Sequence, residues 1–140
     1  NMCPTICIRD DEALFAIGAS GANHIVPCTM QLAAFMLDYG MSLENALNTP
    51  RIDAGYEDYI CVDPEIGYPA IGELSKEFKV EIAQNLVFPK LYACPSGVYR
   101  IAATGQTEGC CDKMNPSSGA VAEGYSKISL PTRDQTLVRA

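Results

Sequence analysis

Residues 18–40, GASGANHIVPCTMQLAAFMLDYG, decide the fold. A turn of small residues with two glycines and the chain's one histidine follows the apolar run Ala13–Ile17. From about Asn23 to Tyr39 the apolar residues then cover nearly every direction of a helical projection. A helix that is apolar all round is buried on more than one side, so this one is expected between a sheet and another layer. Gly40 reads as its stop. Working outward, Thr5–Arg9 and Ala13–Ile17 read as the strands of a hairpin across Asp10-Asp11-Glu12. Downstream, Ser42 reads as the N-cap of a second helix with Leu43, Ala46 and Leu47 on one face, ending before Pro50. Arg51–Asp53 and Tyr59–Val62 read as extended. Pro69 opens a third helix with an Ile71, Leu74, Phe78 stripe, and Val80 and Ile82 alternate as in a strand. Parts of Lys90–Cys94 and of Gly97–Ala103 are expected as strands, with GQTEG (105–109) as a turn. Hairpin strands mixed with helices, and no regular βαβ units, give an α+β class with a mainly antiparallel sheet and packed helices.

At 140 residues and 48% apolar content, residues 1–140 read as a single domain able to bury a core. The abrupt start at NMCPTICI, already strand-like, is the mark expected of a fragment or processed product. A net charge of −7 opposes the cation attraction that nucleic acids and anionic membranes require, so neither is an expected partner. The longest apolar stretch, Ile25–Leu37, is interrupted by Pro27, Thr29 and Gln31 and falls short of the roughly 20 residues of a membrane span. Seven cysteines in an odd, irregular set fit no disulfide framework and read as small buried side chains of a reducing, cytoplasmic compartment. With no CxxC pair and one histidine, no structural zinc is expected.

Several residues invite chemistry, each beside a plainer reading. A small-residue strand-to-helix turn can present free backbone N–H groups to an anion, or can be only a tight corner. GASGANH is not GxGxxG and lacks a phosphate-loop lysine. His24 is a candidate general base, or a hydrogen-bonding residue at a helix start. Cys110-Cys111 is a candidate reactive thiol pair, or a buried strand terminus. The acidic run Tyr56-Glu57-Asp58-Tyr59 reads as a solvated turn. Asp112, between an apolar strand and a Gly-rich tail, is placed to accept backbone N–H bonds and order a loop.

Four segments, taken in order, resemble the C-terminal part of the small subunit of the gamma-glutamyltranspeptidase family. Met2-Cys3-Pro4-Thr5-Ile6 is similar to that family's S-S-M-S-P-T-I stretch, and Ile17–Val26 to its G-S-P-G-G-S-R-I turn. Leu37–Ala46 with Thr49-Pro50-Arg51 resembles its D-x-G-M-x-x-x-x-A-x-x-x-P-R-F segment, the most specific of the four. Gly109–Tyr125 resembles its G-x-x-D-P-R-x-x-G-x-A-x-G-Y ending.

The resemblance implies an N-terminal-nucleophile hydrolase, a four-layer αββα sandwich of which this chain supplies a portion. It implies a γ-glutamyltransferase or glutathione hydrolase activity, in which a threonine exposed by self-cleavage attacks a γ-glutamyl amide and its own α-amine acts as base. No residue here corresponds to that threonine, so this chain alone is expected to be inactive, with the large subunit and the N-terminal part of the small subunit as partners. Neither a cofactor nor a metal is implied. The glycines that stabilise the oxyanion fall on Gly21 and Ala22. The serine pair that holds the substrate carboxylate falls before residue 1 and on Asn1. Ser20 stands for the turn proline, Asn23-His24 for Ser-Arg and Lys113-Met114 for Pro-Arg, which makes His24 a structural residue. If Ala22 needs a positive φ, it is strained by about 1–2 kcal/mol relative to glycine. The rival reading is a non-catalytic structural or ligand-binding domain that keeps the fold. A homodimer is an open expectation, and many bacterial relatives are exported, which opposes the cysteine argument on compartment.

Overall fold

Two aspartates make the first corner. Asp10 and Asp11 sit at φ +53° and +61°, the left-handed pair that a two-residue hairpin loop requires and that aspartate tolerates. They join β1 (Thr5–Arg9) to β2 (Glu12–Ser20), with Arg9 opposite Glu12 and a bulge between Cys7 and Ile8. The computed structural model describes residues 3–56, 58–88 and 90–120. Asn1, Glu57 and residues 121–125 of the last resembling segment lie outside the described residues.

β2 pairs with β6 (Cys94–Arg100), and β6 with β7 (Thr107–Cys111), giving an antiparallel sheet of order β1-β2-β6-β7. The long route between β2 and β6 carries three helices and a second sheet. The helices are α1 (Ile25–Leu37), α2 (Leu43–Asn48) and α3 (Tyr68–Leu74). The second sheet, order β3-β4-β5, comprises β3 (Ile52–Asp53), β4 (Ile60–Val62) and β5 (Val80–Ile82). β4 and β5 run parallel, the one departure from antiparallel pairing among the described strands, because α3 crosses between them.

α1 and α2 cover one face of the four-stranded sheet. Phe15 and Ile17 of β2 meet Cys28, Leu32 and Met36 of α1 and Leu43, Ala46 and Leu47 of α2 in one core. Leu32, Leu43 and Leu47 are almost fully enclosed, and burial of each side chain contributes about 1.5–3 kcal/mol. The opposite face is open, with Ile6 and Ile8 of β1 and Val98 of β6 at 67%, 66% and 45% exposure.

Ser42 caps α2 as expected, its hydroxyl accepting the Asn45 N–H at 3.2 Å. The helix expected over about 23–39 begins as a 3₁₀ turn, Ala22–His24, and runs as α1 only to Leu37. Pro27 falls in its first turn, where its missing N–H costs nothing. α1 packs on β2 and is flanked by β3, whose Ile52 N–H and C=O both bond the Gln31 carboxamide, at 2.9 and 2.5 Å. Its remaining face, with Val26 and Met30 at 52% and 66% exposure, is not covered by any described residue.

Other boundaries differ from expectation. α3 ends at Leu74, and Phe78 lies beyond it, exposed. Residues 90–93 are not strand: Tyr92 donates its hydroxyl to Ala83 O at 2.8 Å, and Ala93 O accepts from Arg51, so side-chain bonds replace a ladder. The turn at GQTEG is confined to its first two residues, because Thr107, Glu108 and Gly109 pair with Arg100, Tyr99 and Val98. Of the seven cysteines only Cys28 and Cys61 are buried; the others are half-buried. No described helix is long and apolar enough to cross a membrane.

Candidate functional site

The chain leaves β2 at Ser20 and turns into α1 through two residues of unusual backbone. Gly21 has φ +142° and Ala22 φ +51°. Gly21 is required there, since a Cβ would lie 2.9 Å from the Cα of Ala93. Ala22 occupies the left-handed region at a cost of about 1–2 kcal/mol for a non-glycine residue, the strain anticipated from the sequence. The Gly21 carbonyl accepts the His24 N–H at 3.1 Å, and the Ala22 carbonyl accepts the Ile25 N–H. The Gly21 and Ala22 N–H groups donate to no described residue. The turn therefore consumes its own acceptors and keeps two adjacent donors, a composition suited to an anion.

Ala93, against which Gly21 packs, belongs to a buried electrostatic post. Arg51, just after α2, donates to Leu47 O at 2.9 Å, to Ala93 O at 3.3 Å and to Asp112 Oδ2 at 3.3 Å. Arg51 and Asp112 are both under 5% exposed, so each buried charge is compensated by the other. The second carboxylate oxygen of Asp112 accepts the Met114 N–H at 2.8 Å and orders the loop after β7, as its position in the sequence suggests. Sequence reasoning gave Arg51 no such role. Its partner lies 61 residues away, and no local spacing signals the pair.

His24 is also paired. Its Nδ1 lies 2.7 Å from Asp53 Oδ1 at the end of β3, and its ring stands 4.9 Å from that of Tyr56, which stacks on Tyr59 at 4.4 Å. Asp53 is 2% exposed and was not singled out from the sequence. The structure gives Cys110 no thiolate character: burial, opposed by a backbone hydrogen bond at Cys111, pushes its thiol pKa up, which makes it a poor nucleophile. Burial also raises Cys28, to about 11.

Two adjoining grooves run along the open sheet face. One of about 510 Å³ is lined by Thr5, Ile6, Ala16 and Val98. The other, of about 370 Å³, reaches Ser20 at the mouth of the turn and includes Cys94, Asn115 and Ser118. Pro4, Gly18 and Ser96 line both. Among the described residues, no three His, Cys, Asp or Glu side chains are grouped to hold a metal.

Residues 1–119 match the family model described as Gamma-glutamyltranspeptidase. The chain belongs to the gamma-glutamyltranspeptidase family. The matched span contains every member of this geometry: Gly21, Ala22, His24, Arg51, Asp53, Ala93 and Asp112. Among curated proteins, a glutathione hydrolase proenzyme of Bacillus subtilis is 35% identical over 52 residues, 37% of this chain. The match spans 9% of that relative's length. Among solved structures, a gamma-glutamyltranspeptidase mutant of Helicobacter pylori superposes with a TM-score of 0.66 at 20% identity, covering 81% of this chain and 60% of that one. A cephalosporin acylase of Bacillus halodurans gives 0.71 at 18% identity, covering 79% of this chain and 20% of that one. The chain thus shares a portion of the fold of these structures, α+β with a mainly antiparallel sheet.

Proposed function

We propose that this chain is the C-terminal portion of a gamma-glutamyltranspeptidase-type small subunit, and that the enzyme it helps to build cleaves γ-glutamyl amides of the glutathione type. The observation that carries the proposal is the turn at Gly21-Ala22, whose two N–H groups donate to no described residue while its carbonyls are engaged. In acyl transfer the carbonyl oxygen of the scissile amide becomes an oxyanion as the nucleophile adds. Fixed N–H donors are then worth about 2.7–4 kcal/mol each in the transition state. Gly21 and Ala22 supply these donors. A threonine hydroxyl from the rest of the enzyme attacks, its α-amine takes the proton, the amine product leaves, and water or a second amine resolves the acyl-enzyme. Asn1, at the place of a carboxylate-binding serine, offers an amide donor to the substrate's α-carboxylate.

The test is chromophore release from a γ-glutamyl anilide by the self-processed enzyme containing this chain, with a cephalosporin amide as a parallel substrate. Release from the anilide is expected. A folded, processed enzyme that leaves the anilide intact would sink the proposal, and turnover of the cephalosporin amide alone would transfer the reading to an acylase.

A further inference from the structure

Ala22 poses a problem that the turn itself does not solve. A non-glycine residue at φ +51° persists only where its surroundings over-determine the backbone, since relaxation to negative φ relieves the strain. On one side Gly21 is wedged against Ala93. On the other, the 3₁₀ turn has no side-chain cap, and of its three side chains only that of His24 makes a hydrogen bond to a described residue. Asp53 Oδ1 receives both the Gly55 N–H, at 2.8 Å, and His24 Nδ1, at 2.7 Å. The carboxylate acts as an acceptor, so Nδ1 carries the hydrogen. The fit is close: a Cβ at Gly55 would lie 2.6 Å from His24 Nδ1 and 3.0 Å from the Asn23 carbonyl carbon. β3 is in turn held to α1 through Gln31.

We propose that His24 and Asp53 are positioning residues: their hydrogen bond clamps the turn between α1 and the loop after β3, holding Ala22 in its left-handed conformation, in which its N–H bonds no described residue. Neither residue touches the reacting atoms; both act through the Gly21-Ala22 backbone, and the catalytic part of the idea rests on the function proposed above.

Two measurements separate this inference from that function. The first is NMR of the self-processed enzyme with isotope label confined to these 140 residues, whose single histidine makes assignment of the ring nitrogens unambiguous. Hydrogen on Nδ1, together with an Ala22 one-bond Cα–Hα coupling in the positive-φ range, is expected. His24→Phe keeps the ring against Tyr56 and removes the donor, so its Ala22 coupling should move toward the negative-φ range. Hydrogen on Nε2 alone in the wild-type chain, or an unchanged Ala22 coupling in His24→Phe, overturns the proposal whatever the enzyme's substrate. The second is turnover: His24→Phe should lower kcat about tenfold to a hundredfold with KM nearly unchanged, by the scale of a misplaced oxyanion donor, and His24→Arg should recover most of it. Equal losses in His24→Phe and His24→Arg also overturn it.

Discussion

Removing the carboxylate of Asp112 is the most demanding test of how the turn is supported. In Asp112→Ala the Arg51 guanidinium remains buried with only the Leu47 and Ala93 carbonyls as partners. At the observed 3.3 Å separation, Coulomb attraction in an effective dielectric of about 20 amounts to about 5 kcal/mol. Part of this is offset in the wild type by the desolvation of both groups, but the substitution leaves the cation's share uncompensated, and about 3–5 kcal/mol of stability should be lost. The Met114 N–H also loses its acceptor, adding about 1 kcal/mol. For a urea dependence of about 2 kcal/mol per molar, the unfolding midpoint should fall by about 2–3 M. Arg51→Met with Asp112→Leu removes both charges and should be milder than Asp112→Ala alone, since an apolar pair replaces an ion pair near neutrality. A loss under about 1 kcal/mol in Asp112→Ala, or a double variant no more stable than the single one, would refute the account of Arg51 and Asp112 as mutually dependent buried charges.

Other outcomes follow from single features. Ala22→Gly relieves the left-handed strain and should raise the melting temperature by a few degrees, corresponding to about 1 kcal/mol, in a thermal scan. Ser42→Ala removes the cap that accepts the Asn45 N–H and should cost about 0.5–2 kcal/mol in the same assay. The Cys28 thiol, raised by burial from about 9 to about 11, should make the fold less stable as pH climbs through that window. The unfolded chain releases the proton first, so the loss at pH 10 relative to pH 8 is about 1.4 kcal/mol. Cys28→Ala should flatten that part of the curve; an unchanged alkaline slope would show that another group governs it.

The legible parts of this molecule were those written locally. The Asp10-Asp11 corner, the Ser42 cap and the apolar face of α2 each depend on residues within one turn of one another, and the structure reproduces them. The junction of β2 with α1 was legible as a turn, whereas a left-handed Ala22 entered only as a condition, raised by its standing where the family has a glycine, and the backbone meets that condition. What escaped reading depends on contacts between distant parts of the chain. His24 and Asp53 are separated by 29 residues, and Arg51 and Asp112 by 61. A lone charged residue in a sequence looks the same whether it faces water or a buried partner. The strand expected in parts of 90–94 is met only at Cys94, where β6 begins; before it the Ala93 carbonyl and the Tyr92 hydroxyl are satisfied by Arg51 and Ala83 rather than by a ladder. Likewise, the all-round apolar character of α1 registered correctly, yet the described residues cover only part of its surface.

The Gln31 carboxamide, which bonds both the N–H and the C=O of Ile52, has a consequence for assembly. β3 is the outer strand of the small sheet, and such a strand ordinarily offers its backbone to any extended segment that drifts against it. Gln31 occupies those two groups with one side chain, so a helix stands where another chain's strand would dock. Shortening that side chain to Ala would leave both Ile52 groups without a partner beneath the helix, so α1 and the small sheet should loosen against each other, a failure that would show as faster amide exchange at Ile52 before any loss of helical content.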